Sequence, residues 1–269
     1  MTEARAIRWL LRITTMLVLA FIYVPLLVVA VYAFNESNIQ TWPIAGVSLR
    51  WFERALADGS IREAFLNSLL AATGATAIAL VLGSMAAFGV NRYRFFGRET
   101  ISFLVILPIA LPGVVTGIAL ANAFLTMFGI ELGLFSLVVS HATFCIVTVF
   151  NNAIARLRRL GGNLEEASMD LGAGTFRTFG SVTLPMMRSA LLAGALLSFA
   201  LSFDEIIVTT FTAGTGVQTL PIWIYQNLFR PNQAPVVNVV AAALIVLSII
   251  PIWLSQKLAG TDESVAAAR

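Results

Sequence analysis

The chain has 269 residues, 58% of them apolar and 12% charged, with a formal net charge of +3. A soluble domain is about half apolar and a quarter charged, so this composition excludes an ordinary globular protein and points to one that lives in a bilayer. The basic residues are spread among short loops, which excludes a nucleic-acid-binding patch; one cysteine and one histidine exclude an intrachain disulfide and a two-histidine metal site.

Residues 1–12 carry Arg5, Arg8 and Arg12, and Ile13 to Phe34 is an uncharged apolar run. Crossing a bilayer takes about 20 helical residues, so this run is the first predicted span. Val31-Tyr32-Ala33 is a loose match to a signal-peptide cleavage site, but the apolar core exceeds the usual roughly 7–15 residues, and the run reads as a retained helix. Asn35 to Glu63 is polar and forms a first external loop, with a short amphipathic helix over Leu49–Ala57 and with Trp42 and Trp51 suited to the membrane interface. Phe65 to Val90 is the second span; its many small residues, among them Ala71, Gly74, Ala75, Ala79 and Gly83, let helices approach closely in lipid. A basic loop follows, with Arg92, Arg94 and Arg98. The third span, Ile101 to Phe128, contains Pro108 and Pro112-Gly113. Each proline removes a backbone donor and clashes with the preceding turn, which predicts a kink or break. Irregular backbone at membrane depth survives only inside protein or beside a wet cavity. This span therefore reads either as a pathway wall or as a kinked packing helix that uses Gly113-xxx-Gly117.

Gly129 to Gly133 is a tight external turn, and Leu134 to Phe150 is the fourth span, on which His141 and Cys145 read as packing residues. Asn151 to Met187 is a large basic loop. The fifth span, Arg188 to about Thr212, contains Asp204-Glu205 between apolar neighbours. A carboxylate within a span costs roughly 2.5–3.5 kcal/mol on insertion scales. Two readings stay open: a cation site or path that also uses Ser202, or a helix that ends near Ser202 and leaves the pair at the external interface. Ala213 to Pro235 is an external loop with an amphipathic middle over Leu220–Phe229, and Val236 to Leu258 is the sixth span. Thirteen of the 17 Lys and Arg residues fall at the termini and in the loops at 91–100 and 151–188. The positive-inside rule then puts both termini and the large basic loop in the cytoplasm. The expected layout is a cytoplasmic N-terminus over 1–12, one membrane domain over 13–258, and a cytoplasmic tail over 259–269.

Within the large loop, Leu164, Ala167 and Leu171 fall on one face of a short helix. Gly172 and Gly174 break it, Phe176 and Phe179 open a second short helix, and Pro185 begins the next apolar run. Such an elbow suits docking into a groove on a soluble partner, although an amphipathic linker resting on headgroups has the same pattern. The run Glu166-Ala167-Ser168, then Gly172 after three residues, then Val182-Thr183-Leu184-Pro185 after nine more resembles the EAA loop of ABC importer permeases. Ser168 and Val182 are its only departures, both mild. The stretch from Leu107-Pro108 to Pro112-Gly113 and that from Ser198 to Gly214 are similar to the spermidine/putrescine-type permeases, and the resemblance covers most of the chain.

The resemblance implies an all-α, six-span inner-membrane protein with the type I importer permease (MetI-like) fold. It implies assembly with a second homologous permease, two ATP-binding cassette subunits and a periplasmic substrate-binding protein. Contact with the ATPase would fall on the 163–185 loop at Glu166, Ala167, Ser168, Gly172, Leu184 and Pro185. Asp204 matches the family's acidic position in the fifth helix.

The chain has no GxxxxGK[ST] phosphate loop and no GxSxG, and its only lysine is Lys257. No catalytic residue and no metal site are expected, and ATP with its magnesium would belong to the partner ATPase. Carboxylates suit a polycation, since a dehydrated amine needs a charged or hydrogen-bonding counter-group. The expected substrate is a polyamine or related cationic amine; a zwitterion such as 4-aminobutyrate or an opine is the alternative. Another class, a secondary transporter or a membrane scaffold, would have no ATPase, and no convincing internal repeat favours the transporter.

Overall fold

The computed structural model describes residues 2–230 and 232–249. Helices dominate, and the described residues hold no strand beyond an isolated bridge between Asn35 and Val47. Among the described residues two compact units form: one from those before Glu63 together with those from Trp223 to Ile249, the other from Glu63–Ile222.

The first unit contains α1 (Thr2–Ala33), α2 (Arg50–Ala57), most of α11 (Leu220–Leu228) and α12 (Ala234–Ile249). From Ile7 to Ala33, α1 is long and apolar enough to cross a membrane, yet only 6% of its most apolar window is buried within the chain. The helix starts well before the apolar run because arginine is a good helix former. The polar segment after α1 is tied to α2. Trp51 and Ala55, one turn apart, are buried, and the Trp51 indole donates to the Asn35 carbonyl at 2.8 Å. Arg50 stacks over the Trp51 ring and also donates to the Glu36 carbonyl. Val236, Val237, Val239 and Val240 of α12 are buried. The end of the expected sixth span, Lys257 and the tail over 259–269 lie outside the described residues.

The second unit is built around α6 (Leu134–Leu160), 56% of whose most apolar window is buried. This helix runs ten residues past the expected end of the fourth span. Ala153, Ile154 and Leu157 prolong its buried face, while Arg158 and Arg159 sit in the last turn, where cations suit the helix dipole. On one side it meets α3 (Gly59–Arg92) through small residues. A Cβ on Gly83 would lie 2.9 Å from both the Ile146 carbonyl oxygen and the Val149 Cβ, so only glycine permits that approach. On another side, α9 (Leu184–Phe203) runs antiparallel to α6 in a side-chain ladder. The Arg156 guanidinium donates to the Met186 carbonyl at 3.0 Å, a Cβ on Gly194 would lie 3.3 Å from the Val149 Cα, and the Ser198 hydroxyl donates to the Cys145 carbonyl at 3.2 Å.

The expected third span is two helices, α4 (Arg98–Ala110) and α5 (Gly113–Asn122), the latter continued by a π-helical turn over Ala123–Met127. They bend by 106° at Leu111-Pro112. A residue before proline is pushed out of the helical region, and Leu111 is extended at φ −83°, ψ 144°. Pro108 stays inside α4, where it removes a single backbone hydrogen bond. Among the described residues, four helices are long and apolar enough to cross a membrane; α4 with α5 passes the same test as one bent pair, and α12 is a shorter apolar helix.

Candidate functional site

The elbow is α7 (Asn163–Asp170), a turn, α8 (Thr175–Thr178) and a π-helical turn over Phe179–Thr183 that leads into α9. Gly172 is left-handed at φ 85°; its amide donates to the Met169 carbonyl and that of Ala173 to the Ser168 carbonyl. This paired bonding closes a helix C-terminus and favours glycine at that one position. Gly174, by contrast, is extended at φ −69° and ψ 163°, so the turn needs one left-handed glycine rather than two.

The second arm differs from the two separate helices expected. Thr175–Phe203 passes as a single apolar span, so that arm is the foot of the fifth span. Pro185 explains the π turn beneath it. A proline ring clashes with the carbonyl four residues back, here Ser181, and the wider turn relieves that crowding.

One side of the elbow is tethered and the other is bare. Glu165 pairs with Arg92 at the end of α3 and accepts from the Thr183 hydroxyl at 2.8 Å. The hydroxyls of Ser168 and Thr178 lie 3.1 Å apart, and the Phe88 and Phe179 rings meet edge to face at 5.0 Å. On the bare side, Leu164, Ala167 and Met169 are exposed, Leu171 is 90% exposed and Phe176 94%. Glu166 is exposed, as are Leu184 and Pro185. The acid that anchors the elbow is therefore Glu165, which the sequence reading passed over for its neighbour. Its signal was the basic end of α3, legible only once α3 and α7 are known to meet.

The second location is the break in the fifth span. α9 ends at Phe203, close to the end near Ser202 that one of the two readings gave, Asp204 to Ile206 leave the helix, and α10 (Ile207–Thr212) resumes it. The adjacent carboxylates have separate surroundings. Glu205 accepts the Val208 amide at 2.9 Å, satisfying a donor at the start of α10 that no helical carbonyl can reach. Asp204 is exposed, and Ser202 is buried. His141 lies fully buried beside the break, with Nδ1 2.7 Å from the Ser202 hydroxyl and Nε2 2.9 Å from that of Thr209. It does more than the packing expected of it.

Gly113 lies against this same break. A Cβ on Gly113 would sit 3.3 Å from Ile207, and one on Gly117 would fall 2.8 Å from the Phe211 ring. The Gly113-xxx-Gly117 face is thus the seat of α10. Inside the α4–α5 bend lies an apolar hollow of about 230 Å³, lined by Leu104, Leu107, Pro108, Leu111, Val115 and Thr143.

Residues 79–259 match the family of binding-protein-dependent transport system inner membrane components. The chain is 34% identical over 232 residues to the putrescine transport system permease protein PotI of Escherichia coli (strain K12), covering 84% of this chain and 82% of that one. It is 33% identical over 241 residues to the spermidine/putrescine transport system permease protein PotC of the same organism, covering 89% and 90%. A chain of a bacterial alginate ABC transporter, solved in complex with an alginate pentasaccharide-bound periplasmic protein, shares the fold at a TM-score of 0.71 and 15% identity, over 94% of this chain and 93% of its own.

Proposed function

This chain belongs to the family of binding-protein-dependent transport system inner membrane components, and from that premise we propose that it lines the path of a polyamine and takes its drive from an ATPase docked on the elbow. It is an ABC importer permease of the multi-pass inner-membrane kind. In the proposed assembly it stands beside a second homologous permease, above two ATP-binding cassette subunits that hold ATP and magnesium, and receives substrate from a periplasmic binding protein. The proposed topology is six spans with both termini in the cytoplasm.

The observation that carries the coupling reading is the two-sided elbow. An apolar ridge of Leu164, Leu171 and Phe176 has none of the described residues over it, while Glu165 and Arg92 secure its back. Large apolar side chains left bare in this way mark an interaction surface. The second arm continues into the fifth span, so a movement of the docked partner is applied to the membrane helix itself. Glu166, Ala167, Ser168 and Gly172 form the contact on α7 and its cap, and Leu184 and Pro185 the head of α9.

The substrate reading rests on the relatives' names and on Asp204. A primary amine shed of water needs an anionic partner, and Asp204 is the exposed member of the pair at the break, with Ser202 and Glu205 beside it. A zwitterion such as 4-aminobutyrate is the second reading. One observation favours it: Glu205 is engaged with the Val208 amide, so the site offers one carboxylate to one amine end.

The test is ATP hydrolysis by the reconstituted complex, titrated with putrescine, spermidine and 4-aminobutyrate. Stimulation by the polyamines alone supports the first reading, and stimulation by the zwitterion alone replaces it with the second. Glu166→Lys and Gly172→Pro should abolish uptake while the external receptor still binds substrate; normal uptake in both would remove the coupling role. Asp204→Asn should cut amine uptake at least fivefold at unchanged protein abundance.

A further inference from the structure

His141 reaches both sides of the break in the fifth span. Ser202 lies in the last turn of α9 and Thr209 in the first turn of α10, and the imidazole between them touches both hydroxyls. The proton positions follow from the neighbours. The Thr209 hydroxyl donates to the Glu205 carbonyl at 2.7 Å, so it offers His141 a lone pair and Nε2 must carry the hydrogen. In the neutral ring Nδ1 is then an acceptor, and Ser202 donates to it. A single directed chain results: Ser202 hydroxyl to Nδ1, Nε2–H to Thr209, Thr209 hydroxyl to the Glu205 carbonyl.

The backbone at this break has no restraint of its own. No proline or glycine lies between Phe203 and Ile207, and Asp204 and Ile206 hold ordinary negative φ angles of −92° and −108°. The angle between α9 and α10 is set by side chains instead. His141 fixes the near end of α10 against α6, and the Ser136 hydroxyl, donating to the Thr212 carbonyl at 2.8 Å, fixes the far end. α9 is held to the same helix by the ladder at Arg156, Gly194 and Ser198.

We propose that His141 is a positioning residue that pins the fifth span into a rigid corner, so that movement of the elbow passes through α9 and α10 to α5 instead of being absorbed at the break. The last step is a contact already made: Ile207 and Phe211 of α10 press on Gly113 and Gly117. The inference rests on the coupling reading of the elbow and adds the route by which its motion reaches the bent third span.

The experiment uses the whole complex, with spin labels on cysteines placed at exposed Leu197 of α9 and Thr210 of α10, in a Cys145→Ala background. With His141 present, the inter-label distance should be single, narrow and equal in the nucleotide-free and ATP-bound states. In His141→Ala it should broaden, and substrate moved per ATP hydrolysed should fall about tenfold, with partial recovery in His141→Asn. A distance that changes with ATP while His141 is present would make the break a hinge and overturn the proposal. So would a narrow distance in His141→Ala, or uptake and ATP hydrolysis that fall in equal proportion. A wild-type complex without substrate-stimulated ATP hydrolysis would overturn the coupling reading and this inference together; a coupled wild type with any of the preceding results overturns this inference alone.

Discussion

Two breaks face each other in this molecule, and they are made by opposite means. At Leu111-Pro112 the chain turns by 106° because the covalent ring of proline ends one helix and glycine admits a neighbour at the start of the next. At Asp204–Ile206 no residue forbids a helix, and the interruption is held by an imidazole, two hydroxyls and a carboxylate. A covalent break keeps its form whatever its surroundings do. A hydrogen-bonded one keeps it only while every partner is in place. The two are joined where Gly113 and Gly117 receive Ile207 and Phe211, so the stiff break props the soft one.

Breaking the joint should cost most. Gly117→Leu forces a side chain into the Phe211 ring, and overpacking of this kind costs about 3 kcal/mol at the upper end of its usual range. The expected result is a melting temperature lowered by several degrees in detergent and little assembled complex. Disabling the soft break comes next. Thr209→Val leaves both the His141 Nε2–H and the Glu205 carbonyl without their partner, a loss of about 2 kcal/mol that thermal unfolding in detergent would read. Softening the stiff break should matter least. In Pro112→Ala the seat of α10 on Gly113 and Gly117 remains and holds α5 where it is, so the change acts mainly through the unfolded chain, at about 0.5 kcal/mol. A larger loss from Pro112→Ala than from Thr209→Val would reverse the contrast.

The contrast also explains what the sequence could tell. Proline and glycine act through their own backbone, so the break near Pro112 and the need for Gly172 in the elbow turn are visible from single letters. The same holds for the apolar runs, whose length and lack of charge are local properties. The break at Asp204 had only a local hint, two carboxylates in an apolar run, and that hint is equally consistent with a charged site inside an intact helix. What decides it is His141, about sixty positions away, and nothing in the spacing of His141 and Cys145 on one helix reveals which hydroxyls of another they will meet. Glu165 was passed over for the same reason. Its partner Arg92 lies on α3, and the pairing exists only after the fold has brought α3 and α7 together. Local chemistry was legible, and long-range pairing was not.

The bare ridge of the elbow also bears on supply. Leu171 and Phe176 are almost wholly exposed, and the proposed topology puts them in the cytoplasm, where newly made proteins are inspected. A copy synthesised in excess of its ATPase would display the kind of apolar surface that chaperones and proteases recognise. Docking would hide it. The surface that receives the drive would then double as a tag of incompleteness, and the amount of this subunit in the membrane would follow the amount of its cytoplasmic partner. A pulse-chase with and without co-expressed ATPase reads this directly as a shorter half-life for the solitary chain.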